Sequence, residues 1–348
     1  MELVKGIIEN KKKKKVKEFY DKYVSKGEKN KDKRLTKKNL AVLIHKGLFE
    51  ENKILEVFSN LFDSEIDILL EATNHPFRLA RANFLQGGKL DSLMLGNYNE
   101  NLRVFFIYNE IRSFILHSYK DDIKEKITKQ NWILRCTRFC EQFYQYTPLG
   151  IFMRLVRQNR NINIDKEESI KLFNELNKND IKSFYDEKAL AFFNYAKSDN
   201  DIEYYEIFEI QKDKSFYIPS KEEIDEYYEK NCFRNKYYDM LFDNIKTEPF
   251  LKKILYASVY KDLSSQNCNE DEYVNLFVDI ISLDCSKEEK TKFVKDMLRK
   301  ANNTIRKKCF RGHTREENKT IIRKEIPNIL EGDSKESRML REAMCSTV

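Results

Sequence analysis

Glycine and proline are scarce along this chain, and their scarcity limits the folds that it can adopt. The 348 residues include 9 Gly and 5 Pro, where average usage would give roughly 24 and 17. Folds with many tight turns, or with glycine-lined loops around phosphate groups, need more glycine than this. β-Sandwiches and doubly wound nucleotide-binding folds are therefore disfavoured. Because 41% of the residues are hydrophobic, the chain can bury a sizeable core, and we expect an all-α protein.

The length favours two compact units over one. We predict two helical subdomains that meet near residues 158–165. The predicted order along the chain is a basic, mobile lead-in at 1–35, an N-terminal helical subdomain at 36–160, a C-terminal helical subdomain at 161–330 and a frayed tail at 331–348.

Apolar residues recur at helical spacing from Thr36 onward. The segment 102–119 is apolar on nearly every side, which predicts a central core helix. A second helical stretch is predicted at 131–157, broken near 147–150. The Gln-Gly-Gly-Lys sequence at 86–89 is typical of a turn.

Four patterns of the capping-box type predict helix starts in the second half of the chain. They are Asp165-x-x-Glu168, Ser220-x-x-Glu223, Asn269-x-x-Glu272 and Ser286-x-x-Glu289. One segment departs from the helical period. Alternating residues from Tyr205 to Tyr217, ended by Pro219, predict one small β-hairpin near 203–218.

The cysteines predict a reducing compartment. Seven occur, an odd number, and no signal peptide precedes them, so we expect an intracellular protein, cytoplasmic or, in a eukaryote, nuclear. Cys136 and Cys140 lie one helical turn apart, but no further ligands stand near them in sequence, so no metal site is expected. No apolar run is long enough to cross a membrane.

The formal charge of +7 is carried by separate blocks. Residues 1–38 carry +9, residues 124–160 carry +6 and residues 290–325 carry +9, whereas residues 165–230 carry −8. Such segregation creates surface patches of one sign that can attract partners. The alternative is that lysine-rich composition merely solvates helix faces. Arginine is harder to explain in that way, since the chain has 18 Arg against 46 Lys and the arginines cluster.

Nucleotide and metalloenzyme motifs are missing from the sequence. It contains no GxxxxGK[ST], GxGxxG, HExxH or GxSxG pattern and no EF-hand loop. The sequence therefore supports no cofactor.

Two Arg–His pairs are the candidate catalytic residues. Arg112 and His117 have four residues between them, and Arg306 and His313 have six. A histidine can transfer the proton of a 2′-hydroxyl, and an arginine can stabilise the charge that develops on phosphorus. We favour Arg306 and His313 because they lie in a basic block. Five helical steps place Arg112 and His117 about 140° apart, and His117 is expected to be buried.

Both pairs resemble the R-x(4–6)-H pattern of HEPN ribonucleases. In that family, helices from two HEPN units bring Arg and His together and cleave RNA without a metal. The resemblance covers fewer than 20 residues, and Ser113 and Lys307 follow the arginines where the family commonly has Asn. It implies a metal-independent ribonuclease.

Two further groups of cations are candidate nucleic-acid-binding residues, because guanidinium groups bind phosphate and neighbouring rings can stack on bases. The first group, among aromatic residues, is Arg135, Arg138, Arg154, Arg157 and Arg160. The second group is Arg299, Lys300, Lys307, Lys308, Arg311, Arg315 and Arg323. The alternative for both is an aromatic face that packs inward while the cations are solvated.

These observations predict an intracellular helical protein that binds RNA, DNA or a nucleoprotein complex through its Arg and Lys patches. One alternative is the ribonuclease. The other is a protein-binding scaffold or inhibitor that uses an acidic, Tyr-rich surface, with anchors Tyr204, Tyr205, Tyr227, Tyr228, Tyr237 and Tyr238. No membrane partner is expected.

Overall fold

A computed structural model describes residues 1–25, 35–61, 63–119, 121–176, 181–195, 202–265 and 270–321. The protein is mostly helical and carries two small antiparallel sheets of three strands each. The predicted helical character is thus confirmed, but the chain is not purely all-α. No helix in these ranges is both long and apolar enough to span a bilayer.

The first compact unit comprises Met1–Leu134 and Ile162–Lys182. Its helices are α1 (Glu2–Asn10), α2 (Lys13–Phe19), a π-helical turn (Tyr20–Val24), α3 (Lys37–Phe49), α4 (Ile54–Phe58), α5 (Asp63–Asn74), α6 (Phe84–Ser92), α7 (Asn109–Ser118), the first half of α8 (Asp121–Phe143) and α10 (Lys166–Glu175). Its sheet has the order β1-β3-β2, formed by β1 (Leu79–Arg81), β2 (Gly96–Asn99) and β3 (Val104–Ile107).

The second unit comprises Arg135–Asn161 and the chain from Ser183 onward. Besides the end of α8, its helices are α9 (Leu149–Val156), α11 (Ile202–Gln211), α12 (Lys221–Lys230), α13 (Lys236–Asp243), α14 (Pro249–Ser264), α15 (Glu270–Ile280), α16 (Lys287–Thr304) and a 3₁₀ turn (Lys308–Phe310). Its sheet has the order β4-β6-β5, formed by β4 (Tyr146–Pro148), β5 (Ser183–Asp186) and β6 (Ala191–Asn194).

This division differs from the split predicted near 158–165, because α10 belongs to the first unit. Its Glu168 carboxylate lies 2.9 Å from the Lys129 ammonium of α8. Leu172 and Phe173, on the apolar side of α10, are buried. The apolar period of α10 was visible in the sequence, but the helix that it packs against was not.

Residues 1–25 are not the mobile lead-in that their charge suggested, while residues 26–34 of the predicted lead-in lie outside the described residues. α1 buries Leu3 and Ile7, and α2 buries Val16 and Phe19 in the core of the first unit. Lys11, between the two helices, is itself buried; its ammonium bonds to the Asp91 carboxylate and to a backbone carbonyl. Burial lowers the pKa of Lys11.

Two further predictions in the first unit were wrong. The segment 102–119 is not one helix: β3 pairs with β1 and β2, and α7 begins only at Asn109. Residues 86–89 are not a turn, because Asn83 caps α6 in a full capping box with Gln86.

The predicted hairpin at 203–218 is also wrong, since α11 occupies Ile202–Gln211. Ile207 and Gln211, four residues apart, are both buried, so the helical period decides the structure of this segment. The strands of this unit lie elsewhere: β5 and β6 form a hairpin whose Tyr185 pairs with Phe192.

Three of the four predicted helix starts are confirmed. Asp165 caps α10, and Ser220 and Ser286 form full capping boxes at the starts of α12 and α16. Asn269 and the predicted tail at 331–348 lie outside the described residues.

Candidate functional site

Arg306 and His313 are brought together by a tight turn after α16. Arg306 pairs with Thr314 in an isolated antiparallel bridge, and the Lys307 amide donates a hydrogen bond to the His313 carbonyl at 3.1 Å. Gly312 completes the turn with a φ of +83°, a conformation that favours glycine. Arg306 and His313 are therefore brought together by a turn, and they do not share one face of a helix.

Two carboxylates hold the Arg306 guanidinium. Its Nη2 lies 2.7 Å from Glu223 Oε1 and its Nη1 lies 3.3 Å from Glu317 Oε2. Nη1 also donates to the Gly312 carbonyl at 3.1 Å, and the guanidinium carbon is 3.4 Å from the centroid of the Tyr217 ring. The side chain is only 14% exposed. A substrate phosphate would have to replace these bonds in order to reach Arg306.

His313 lies between a serine and a carboxylate. Its Nε2 is 3.2 Å from Ser215 Oγ and its Nδ1 is 3.6 Å from Glu317 Oε2. The Thr314 amide donates to the same Glu317 oxygen at 2.8 Å and so fixes that carboxylate. The Tyr217 ring meets the imidazole edge to face, with centroids 5.6 Å apart.

Both carboxylates around Arg306 are ionised at neutral pH. The hydrogen bond with His313, the Thr314 amide and the Arg306 charge together hold the pKa of Glu317 at about 2, against burial, which opposes them. Burial alone would raise the pKa of Glu223, but bonds from Tyr217 and Arg306 outweigh it and lower that pKa. Arg306 is therefore held by two negative charges, and His313 lies beside one of them.

The other pair, Arg112 and His117, shares no contact of this kind. Arg112 Nε donates to the Thr73 carbonyl at 2.9 Å. His117 is exposed, in contrast to the burial expected of it, because α7 buries Ile111 and Ile115 instead. It lines a cavity of about 510 Å³ together with residues of α3 and α7.

Three predicted phosphate-binding residues are buried and therefore do not present their charge at the surface. Arg135 pairs with Asp225 at 2.6 Å and its side chain is 9% exposed. The Lys307 ammonium bonds to the Leu263 carbonyl and to the amide oxygen of Asn302. Asp225 and Leu263 are far from these cations in sequence, and Asn302 lies near the end of a packed helix. The spacing of residues in the sequence does not reveal such partners.

Arg311 is the third buried cation. Its Nη1 donates to the Lys214 carbonyl, and its guanidinium lies 4.2 Å from the centroid of the Phe216 ring. Nε and Nη2 are buried without a hydrogen-bond partner in the described structure. Burial lowers the pKa of Arg311.

Three cations that are exposed or half-buried are paired with neighbouring carboxylates. Arg138 lies 3.5 Å from Glu141, and Arg299 and Lys300 lie 3.1 and 2.6 Å from Asp296. Lys308 is partly buried and Arg315 is exposed, while Arg323 lies outside the described residues.

Arg154, Arg157 and Arg160 differ from all of these. The three are exposed and follow one another at three-residue intervals along α9 and just beyond its end. None forms an ion pair with a carboxylate in the described part of the chain. We refer to these three residues as the α9 arginine surface.

The aromatic residues predicted to accompany the arginines pack inward. Phe139, Phe143 and Tyr144 are fully buried, as in the alternative interpretation. Of the predicted scaffold anchors, Tyr227 and Tyr238 are also buried, and two of the six are thus unavailable to a partner. Tyr205 is 53% exposed, and the side chain of Tyr204 lies outside the described residues.

Sequence reasoning missed Ser215, Glu317 and Glu223 as neighbours of the Arg–His pair. One signal was present: Thr314-x-x-Glu317 is itself a capping-box pattern, and the Thr314 hydroxyl accepts a bond from the Glu317 amide at 3.0 Å. That pattern places Glu317 beside residue 314 and therefore close to His313. Nothing in the sequence pointed to Ser215, which lies 98 residues before His313.

Two places in the second unit thus have chemistry suited to function. The α9 arginine surface offers cations that have no carboxylate partner among the described residues, and the turn after α16 holds a histidine between a serine and a carboxylate. No family model, no curated protein and no solved structure matches this chain.

Proposed function

We propose that the protein binds nucleic acid through the α9 arginine surface. The supporting observation is that Arg154, Arg157 and Arg160 are exposed and have no carboxylate partner among the described residues. A guanidinium presents a planar fork of donors that matches two phosphate oxygens. An unpaired arginine gives up only water when it binds phosphate, whereas a paired one must also break an ion pair.

A second basic surface supports the proposal in the first unit. Lys12, Lys13, Lys15 and Lys17 are exposed on and just before α2 and form no ion pair in the described structure. Lys14 reaches Glu18 only at 4.0 Å, with both side chains largely exposed. Val16 and Phe19 anchor α2 in the core, so these lysines are presented by an ordered helix.

The five described cysteines are all free thiols: Cys136, Cys140, Cys232, Cys285 and Cys309. Burial raises the pKa of Cys136 and Cys140, which keeps them protonated. Unpaired thiols of this kind support an intracellular site of action, where nucleic acid is present.

Neither alternative has comparable support. For the ribonuclease, Arg306 is already bound to Glu223 and Glu317. For the scaffold, Tyr227 and Tyr238 are core residues. The ribonuclease and the scaffold both remain predictions. Nucleic-acid binding by the α9 arginine surface depends on neither of them.

The test compares two triple variants of equal charge. The first is Arg154→Ala, Arg157→Ala and Arg160→Ala. The matched control is Arg138→Ala, Arg234→Ala and Arg299→Ala, which removes three arginines that are paired with carboxylates.

Fluorescence anisotropy with labelled oligouridine and with a DNA duplex, over a range of salt concentrations, measures affinity. Removing one arginine–phosphate ion pair should lower the slope of log K against log salt by about 0.7 for a single strand, so the slope of the first variant should fall by about 2. The control should stay near the wild-type slope. An equal fall in both variants, or no binding by the wild type at low salt, would refute the proposal.

A further inference from the structure

We propose that Ser215, His313 and Glu317 form a nucleophile, a base and an orienting group for acyl transfer from short carboxylic esters. The proposal goes beyond nucleic-acid binding and does not depend on it. Ser215 Oγ lies 3.2 Å from His313 Nε2, and Glu317 lies on the Nδ1 side of the ring at 3.6 Å. A nucleophile within reach of a base that a third group orients is the arrangement common to serine hydrolases on unrelated folds.

The position of Ser215 is fixed on both sides. The Tyr217 amide donates to the Arg311 carbonyl at 3.1 Å, and Arg311 Nη1 bonds to the Lys214 carbonyl. Residues 214–217 are thus held against the turn that carries His313. Ser215 itself is exposed, so a substrate can reach its hydroxyl.

The carboxylate sets the tautomer of the histidine. Glu317 is ionised, since its pKa is about 2. It therefore favours a proton on Nδ1, which leaves the Nε2 lone pair directed at the Ser215 hydroxyl. The Thr314 amide holds Glu317 in place, which keeps the ring oriented.

Two backbone N–H groups at Ser215 and Phe216 can stabilise the developing negative charge. The amides of Ser215 and Phe216 donate no hydrogen bond to any described residue. The amide of the residue after the nucleophile is one of the oxyanion donors in hydrolases of the nucleophile-elbow type. Here that amide belongs to Phe216, whose ring packs against the Arg311 guanidinium.

The reaction is balanced with water as the only co-reactant. Ser215 Oγ adds to the ester carbonyl carbon while its proton moves to His313 Nε2 and the carbonyl electrons move to oxygen. When the carbonyl re-forms, the bond to the alcohol oxygen breaks, and that oxygen takes the proton from Nε2. His313 Nε2 then deprotonates a water, which adds to the acyl-serine carbonyl carbon. When that carbonyl re-forms, the bond to Ser215 Oγ breaks, Oγ takes the proton back from Nε2, and the acid is released. One ester and one water give one acid and one alcohol.

The test uses the full chain and a fluorophosphonate probe, in which Ser215 Oγ would displace fluoride at phosphorus. Peptide mass spectrometry should locate the adduct on Ser215 of the wild type. Ser215→Ala should abolish it, and His313→Gln should slow it at least about 100-fold, the usual contribution of a general base. The control is Ser282→Ala, which alters an exposed serine outside the cluster and should label normally.

Hydrolysis of p-nitrophenyl acetate gives the second readout and should fall in parallel with labelling. Circular dichroism confirms that each variant is folded, and the wild-type adduct map does not depend on any variant. An unlabelled wild type, or an adduct on another residue that persists in Ser215→Ala, would overturn the proposal. Ser215→Ala should bind oligouridine as the wild type does, so failure of one proposal is distinguishable from failure of the other.

Discussion

Gly87 and Gly88 are adjacent in α6, yet alanine at the two positions should have opposite effects on stability. A Cβ built on Gly88 meets no atom within 4 Å. A Cβ on Gly87 would lie 2.1 Å from Cδ2 of the Tyr98 ring. Alanine at Gly88 should therefore stabilise the protein by about 0.5 to 1 kcal/mol, the ordinary preference of a helix for alanine over glycine.

At Gly87 the same preference is opposed by overpacking. Tyr98 is tied to strand β2, its amide bonds to Asp91 at 3.1 Å, and its hydroxyl donates to the Ala82 carbonyl at 3.3 Å. Moving the ring to an ordinary contact distance costs about 1 to 3 kcal/mol. Because the helix preference is common to both variants, the difference between them isolates this packing cost.

Urea unfolding followed by far-ultraviolet circular dichroism measures the difference, with the wild type as reference. We expect Gly88→Ala to unfold at higher urea than the wild type, and Gly87→Ala to be less stable than Gly88→Ala by about 1 to 3 kcal/mol. If Gly87→Ala matched or exceeded Gly88→Ala in stability, the contact between α6 and Tyr98 would be wrong.

Two further outcomes follow from the electrostatics and the helix caps. Glu317 has a folded pKa of about 2, below its ordinary value of 4.5, so its contribution to stability is present above about pH 4.5 and is lost as the pH falls toward 2. The melting temperature of Glu317→Gln should lie below that of the wild type at neutral pH, and the gap should narrow below about pH 4.5 and close only as the pH nears 2. A gap that does not change with pH would contradict the ion pairs of Glu317. Ser286→Ala removes the cap of α16 and should lower the free energy of unfolding by about 1 kcal/mol. Calorimetry measures this loss against Ser282→Ala, and an equal loss of stability in both variants would count against the capping box.

Local signals in the sequence were sufficient for three helix starts in the second half of the chain, those of α10, α12 and α16. Ser220 and Ser286 cap their helices with side chains only three residues away from the groups that they bond, so the pattern contains the whole interaction. The break near 147–150 was equally local, because Pro148 ends β4 and α9 starts at Leu149. Features that depend on contacts between residues far apart in the sequence were not predicted.

The wrongly predicted hairpin at 203–218 and the ion pairs of the buried arginines show why such contacts could not be predicted. The alternation of residue types from Tyr205 onward is compatible with a β-strand. The segment is a helix because Ile207 and Gln211, four residues apart, are both buried, which the sequence alone does not show. In β5 and β6 both faces carry aromatic residues, so alternation gives no signal there. Arg306 meets Glu223 across 83 positions of sequence, and Arg135 meets Asp225 across 90. An arginine that looks available by spacing is thus neutralised by a residue that spacing cannot bring near.

Because α10 belongs to the first unit but follows part of the second unit in sequence, the first unit cannot complete its fold until α10 has been synthesised. Residues 135–161 of the second unit leave the ribosome before Ile162–Lys182. Until those residues emerge, Lys126 and Lys129 of α8 lack Glu175 and Glu168. At roughly 5 to 20 residues per second, the delay after Leu134 is about 2 to 10 s. Throughout that interval, the nascent first unit must hold an incomplete core while the chain of the second unit grows beside it.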